Sequence, residues 1–427
     1  MSPNKTSTAR FLLWVGAFAP IIYAAPKTVD EILGSSGAGW LDAVRGGGGL
    51  LCYTLACAVV PKTVRSLRVG IPEIALLVFI TVGFLSTIWS VSPVSTFLKM
   101  IPLAASFLCM ARLTSMYESP GAVLHSVIKV AHIILLATVV QLLISPAATY
   151  YASISDPIPR LNSNIPAVSA NILGVVVGIG LAGIILKCGP AWTRRQPINL
   201  LLSVTYVCLL LATRSRMITA VVLLIVVLLL WKVMQSTPAK AGVGWLMVSS
   251  LGLVSWVLAS TENTVGTTIR EFLLRGQEGG TGLTTLTGRT VIWERAIPLW
   301  QEQPWIGYGY YSGHRLGLAA MDKLFVRYSN LDNTWVETLV DVGIFGTVGL
   351  LAFATFGLLR IARSKRWGRG RPIAILVALC VIAMSFVNPT IQSNTPTLIF
   401  FAALVFSSRP ERIRKESPSQ QSVVRAA

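Results

Sequence analysis

Three arginines in otherwise uncharged surroundings have the types and placement that most suggest chemistry. Arg214 and Arg216 sit in ATRSRMI, a short turn between two wholly apolar runs, and Arg289 sits in TLTGRTVIW, behind Gly288 at the start of a helical pattern. A guanidinium presents a planar fork of donors that matches a phosphate, and a helix N-terminus adds free N–H groups, so both settings suit an anion. The plainer accounts are that Arg214 and Arg216 snorkel to lipid headgroups or cap a helix, and that Arg289 is a surface arginine in a first turn. Downstream, Asp332 precedes an apolar helix that carries Glu337 about one turn deeper. Two carboxylates then share one mouth, and mutual repulsion favours one of them as a proton acceptor. Asp332 has its own plainer role as the cap of that helix. His314, in GYGYYSGHR, is a further candidate base.

These residues are positioned by a membrane protein. The chain has 427 residues, 53% hydrophobic and 12% charged, with a mean hydropathy of +0.67. That composition excludes a soluble globule. Apolar runs near 11–25, 48–60, 72–90, 97–115, 121–146, 166–186, 198–213, 215–233, 243–260, 334–359, 372–388 and 393–407 predict an all-α polytopic fold with about twelve transmembrane helices. The first run follows Arg10 as a signal peptide's would but lacks a small-residue cleavage site, so it reads as a retained helix. The six cysteines form no paired set in an outer loop, which argues against a disulfide framework. A net charge of +19 would point to nucleic acid in a soluble protein; here it is spread over the connections between spans, and no nucleic-acid partner is expected.

The placement of the positive residues sets the orientation. With the N-terminus inside, the inner connections and both tails carry 22 Lys and Arg against 12 outside, of which 7 lie in one long loop. The segments RIARSKRWGRGR and KTVRSLR therefore face the cytoplasm. The expected organisation is helices one to nine over 1–260, a large periplasmic loop with amphipathic helices over 261–333, helices ten to twelve over 334–407 and a basic cytoplasmic tail over 408–427. Both termini then lie in the cytoplasm of a bacterial inner-membrane protein.

Outside that loop the outer face keeps only Lys27, Arg45, Arg160, Arg214 and Arg216, with Lys99 one turn into the fourth helix. Each is an exception to the positive-inside rule, and a bound polyanion would account for them. In VIWERAIPLW, Ile292, Trp293, Ala296, Ile297 and Trp300 share one face, as in an amphipathic helix lying on a membrane. His125, Lys129 and His132 are spaced to share a face of the fifth helix, either as a proton relay or, more plainly, as residues snorkelling at its cytoplasmic end. The outer loops contain no D-x-D pair, and the chain has no H-E-x-x-H, Walker loop or cysteine pair with metal spacing, so neither a metal nor a cofactor is expected.

The order of these features, an S-R turn, T-G-R-T-x-I-W in a large outer loop, PWIGYGYYS, then DNTWVETLVDVGIFGTVGL entering the next helix, resembles the O-antigen ligase and Wzy-type polysaccharide polymerase superfamily. The resemblance implies a metal-independent glycosyltransferase that moves a glycan from an undecaprenyl-pyrophosphate carrier to a sugar hydroxyl. It places Arg216 and Arg289 at the family's essential arginines and Arg160 at a third, with Arg214, Lys99, Glu337 and His314 as further candidates for holding pyrophosphate or glycan. Relatives that act as ligases carry His-Asn or His-Ser where this chain reads Asp332-Asn333, which favours a polymerase with Asp332 as base over a ligase acting on lipid A-core. A chain-length regulator is a possible partner on the same reading. A flippase or transporter also suits twelve helices, but should show internal repeats and broken helices, and no repeat is evident.

Overall fold

The computed structural model describes residues 3–21, 40–60, 69–153, 156–188, 197–215, 218, 219, 222, 289–317, 331–386, 388, 390, 391, 393 and 395–409. The main helices among them are α1 (Pro3–Phe18), α2 (Trp40–Val59), α3 (Ile71–Leu85), α4 (Pro93–Ser115), α5 (Pro120–Ile144), α6 (Ala170–Cys188), α7 (Pro197–Ala212), α8 (Arg289–Glu302), α9 (Thr334–Arg363), α10 (Arg371–Ser385) and α11 (Pro396–Ser407). Ten of the twelve apolar runs overlap one of these; of the eighth and ninth only 215, 218, 219 and 222 lie among the described residues. Among the described residues four segments, Ile71–Ile88, Pro93–Ser115, Pro120–Ile144 and Thr334–Arg363, are long and apolar enough to cross a membrane. The protein is a helical membrane protein.

Several helices start on a proline with a hydroxyl before it. Ser119 and Thr395 accept from the N–H groups of Ala122 and Leu398, while Pro120 and Pro396 supply a fixed φ where no donor is needed. Every residue of α11 is buried, which is why its sequence is apolar all round. Around it pack α1, α4, α5, α6, α9 and α10, and α9 also lies along α3.

Two expectations need correction. The first helix begins at Pro3, ahead of the apolar run, and gives way to a 3-10 turn at Ala19–Ile21, where Pro20 cannot continue an α-helix. The all-α expectation also omitted two small antiparallel hairpins, β1 (Tyr150–Ser153) with β2 (Asp156–Leu161), and β3 (Ser163–Asn164) with β4 (Ala167–Val168). The prolines of DPIPRL bar a helix there, and the register sets Arg160 opposite Tyr151.

The two ends of α9 differ in charge. At its C-terminal end Arg360 makes a bidentate pair with Glu73 of α3 at 2.6 and 2.8 Å, and Arg409, just beyond α11, joins the same carboxylate at 2.8 Å. Asp332 and Glu337 mark the other end. On the orientation read from sequence, cysteines introduced into 275–330 will react with membrane-impermeant thiol reagents in cells with a permeabilised outer membrane, and those in 361–371 will not. Reversed labelling would invert the topology.

Candidate functional site

The mouth of α9 is shaped by a break lower in the same helix. Gly343 has φ +63° and ψ −165°, which interrupts the helical ladder. The carbonyls of Val340 and Asp341 instead accept from Tyr308 and Gly309 at 2.9 and 2.8 Å, while the N–H groups of Ile344 and Phe345 donate to Pro304 and Trp305 at 2.9 and 3.4 Å. The segment PWIGYG thus replaces the missing turn. Unsatisfied backbone groups at membrane depth cost several kcal/mol each, so loop and broken helix require one another. Both glycines at the crossing are dictated by contact as well as by φ: a Cβ on Gly343 would lie 2.3 Å from the Trp305 carbonyl, and one on Gly307 2.6 Å from that of Val340.

The loop also docks on the start of α4. Ser90, Thr96 and Ser312 form a hydroxyl triangle with sides of 2.6 to 2.9 Å, and the Val91 N–H donates to the Tyr308 carbonyl. This brings Lys99 against the loop, its Nζ 4.6 Å from the centre of the Tyr311 ring; the Arg315 guanidinium lies 4.2 Å from the same ring.

Beneath Tyr311 lies a buried pair that the sequence reading did not assemble. Asp341 accepts from the main-chain N–H groups of Tyr311 and His314, each at 2.8 Å, and its carboxylate faces His314 Nδ1 at 2.9 and 3.0 Å. Because both near atoms are carboxylate oxygens, Nδ1 carries the proton. Burial alone depresses the His314 pKa, but the Asp341 carboxylate, with Glu337 and the direct hydrogen bond, outweighs both that and the opposing Arg315, and holds it above the ordinary histidine range. A raised folded-state value stabilises fully below the unfolded pKa of about 6.5 and is lost as pH rises through the folded one. The thermal midpoint of wild type minus that of His314→Gln will therefore shrink from about pH 6 upward. A difference independent of pH would mean that folding leaves the His314 pKa unshifted, and one that grows as pH rises would mean that His314 is held neutral.

Three tethers converge on the residues just before α9. Trp293 Nε1 of α8 donates to the Leu331 carbonyl at 2.8 Å, and the Leu331 N–H donates to Glu337 Oε1 at 2.7 Å. From the third side, Arg160 Nε donates to the Thr213 carbonyl at 2.9 Å and its Nη2 to Asn171 Oδ1. Asn171 reaches Asn388 Oδ1 at 2.5 Å, whose carbonyl accepts from Thr334 at 2.9 Å. Asp332 lies between these anchors, half-buried, with φ +52°.

The structure thus brings Asp332, Glu337, Arg160 and the Arg214 turn into one hydrogen-bonded frame, with Lys99 and His314 around Tyr311 below it. Arg214 itself has φ +48° in that turn. Arg216 lies outside the described residues; Arg289 opens α8, and Trp293, one turn on, reaches the residue beside Asp332.

Three readings change. The cap of α9 is Asn333, whose side chain accepts from Trp335 and Val336 at 2.9 and 3.2 Å, so capping is not the role of Asp332. The buried face of α8 is Ile292, Ala296 and Leu299 packed on Leu331 and Val340, with the expected Trp293 and Trp300 partly buried against them, whereas Ile297 is exposed. That face therefore serves the protein interior and not a membrane surface. On α5, His132 leaves the expected trio and stacks on Tyr206, with Nδ1 2.6 Å from its hydroxyl.

Asp341, Tyr311, Arg315 and Asn171 were missed from sequence. Asp341 carried a signal, since an acid inside an apolar helix needs a partner.

The family model described as O-antigen ligase matches residues 200–351. The resemblance to the O-antigen ligase and Wzy-type superfamily therefore holds over the region that contains Arg214, Arg216, Arg289, His314, Asp332, Glu337 and Asp341. Arg160 and Lys99 lie outside that match. No curated protein matches the chain.

Proposed function

We propose that this protein polymerises oligosaccharide repeat units carried on undecaprenyl pyrophosphate, by metal-independent inverting transfer at the periplasmic face of the inner membrane. The acceptor hydroxyl gives its proton to Asp332 as its oxygen attacks the anomeric carbon. The bond from that carbon to the carrier's phosphate oxygen breaks, and its electron pair leaves with the pyrophosphate. Arg216 and Arg289 hold the growing negative charge, which lowers the barrier. Arg160 and the Arg214 turn line the same mouth.

The observation that carries this reading is the convergence on Asp332: α8 and the loop after α10 are each tied within two residues of it, and the Arg160 strand joins that loop through Asn171. Glu337 supports the segment from below. It is 1% exposed and its carboxylate already accepts from Leu331, so its geometry is that of a brace, whereas Asp332 is open enough to meet a substrate.

The test is reconstitution. Purified protein in liposomes with a lipid-pyrophosphate-linked repeat unit should give a ladder of longer glycans and free carrier pyrophosphate, unchanged by chelator. Transfer to lipid A-core without a ladder would make the protein a ligase, and a chelator-sensitive rate restored by Mg²⁺ would replace the metal-independent step. Movement of the intact lipid-linked unit across the bilayer with no new glycosidic bond would make it a flippase.

A further inference from the structure

Between α1 and the first half of α5, at the end of the bundle away from Asp332, lies a cleft of about 930 Å³. Its lining is sorted along its length. One end holds Arg10, His125 and Lys129 with a single carboxylate, Glu118; the shaft beyond holds Trp14, Phe18, Ile133 and Ile134. The sorting follows from helical spacing, since positions 125, 129 and 133 share a face of α5 while 10, 14 and 18 share one of α1, and both helices run from charge to hydrocarbon.

The cationic end is built but incompletely matched. Arg10 is fixed by a 2.6 Å hydrogen bond to the Met116 carbonyl and by the Tyr117 ring 4.4 Å away, yet its Nε is buried with no partner among the described residues. Ser126 braces the floor, accepting from Trp14 Nε1 at 2.9 Å and from the Tyr117 hydroxyl at 2.7 Å. Phe11 and Ile133 are 66% and 65% exposed at the rim, so the shaft opens sideways. Cations this close to hydrocarbon call for a counter-charge, and a basic pocket between transmembrane helices at the positively charged end of a bundle suits an anionic lipid head.

We infer that this cleft binds an anionic glycerophospholipid, with its phosphate between Arg10, His125 and Lys129 and an acyl chain along the shaft. From His125 to Ile134 is about 14 Å of helix, close to the hydrocarbon depth of one leaflet. Ile165, held by Gln141 further along α5, stands beyond it, so the groove suits an acyl chain better than a much longer polyisoprenyl tail. A zwitterionic head would set its own ammonium against three basic residues.

The test uses the full-length protein in detergent, titrated with dioleoyl phosphatidylglycerol or dioleoyl phosphatidylcholine and read by native mass spectrometry and thermal midpoint. Phosphatidylglycerol should bind and raise the midpoint where phosphatidylcholine does not. Lys129→Gln should weaken its binding about fivefold, the effect of one basic residue near a lipid anion. Arg10→Gln should weaken it further, but it also loses the Met116 tether, so Lys129→Gln decides if that variant fails to fold. Equal binding of the two lipids, or wild-type phosphatidylglycerol affinity in Lys129→Gln, would overturn the inference. So would tight binding of undecaprenyl phosphate with phosphatidylglycerol inert.

Discussion

Arg216→Lys and Arg289→Lys are each expected to lower glycosyl transfer by about tenfold or more while leaving the protein at normal level in the membrane. Lysine keeps the charge, so a role in attracting an anionic carrier or in contacting lipid headgroups would survive the change. What it loses is the planar fork that meets two phosphate oxygens at once. In a reaction without a metal, that fork stabilises charge that appears only as the anomeric bond breaks, and removing one such donor typically costs a hundredfold or more in turnover. The loss should therefore fall mainly on kcat, with KM for the lipid-linked donor little changed. Arg160→Lys is the informative contrast. Its guanidinium is bonded to the Thr213 carbonyl and to Asn171, so its variant should loosen the Arg214 turn and raise KM as well. Full activity in both Arg216→Lys and Arg289→Lys would remove them from the chemistry.

The sequence made the apolar helices legible, four of them long enough among the described residues to cross a membrane, because length and apolarity are local properties. It also placed α8 correctly, since TGRTVIWERAIPLW carries a start signal and a helical face. It placed Ile292, Trp293, Ala296 and Trp300 on that face and mistook only Ile297 for Leu299, because the two are equally apolar and only the position of Leu331 and Val340 decides between them. The break at Gly343 was not legible. A glycine in an apolar helix reads as a packing position, and the segment that fills the gap lies over thirty residues earlier in the chain. Nor could Asp332 and Asn333 be told apart as caps, since both types serve equally well. The left-handed backbone at Asp332 turns its neighbour's side chain onto the first N–H groups of α9. The link from Arg160 through Asn171 and Asn388 to Thr334 joins four distant segments and leaves no pattern in any one of them.

Asp332→Asn is expected to lose roughly 100-fold or more in turnover, because an amide cannot take the acceptor's proton. The substitution is unusually clean here. Asn tolerates the left-handed conformation that Asp332 adopts, so the backbone is not strained by the change. The cap of α9 belongs to Asn333, so helix stability is not altered either; Asn333→Ala, at about 1 kcal/mol, measures that separate effect. Glu337→Gln makes the comparison. Its side chain accepts from the Leu331 N–H in a nearly sealed position, and the amide oxygen of glutamine keeps that bond, so activity should fall much less than in Asp332→Asn. With both variants at wild-type level in the membrane, their initial rates on a lipid-linked repeat unit separate the two carboxylates. Near-normal polymer from Asp332→Asn together with an inactive Glu337→Gln would move the base one turn deeper, to the residue that now appears as a brace.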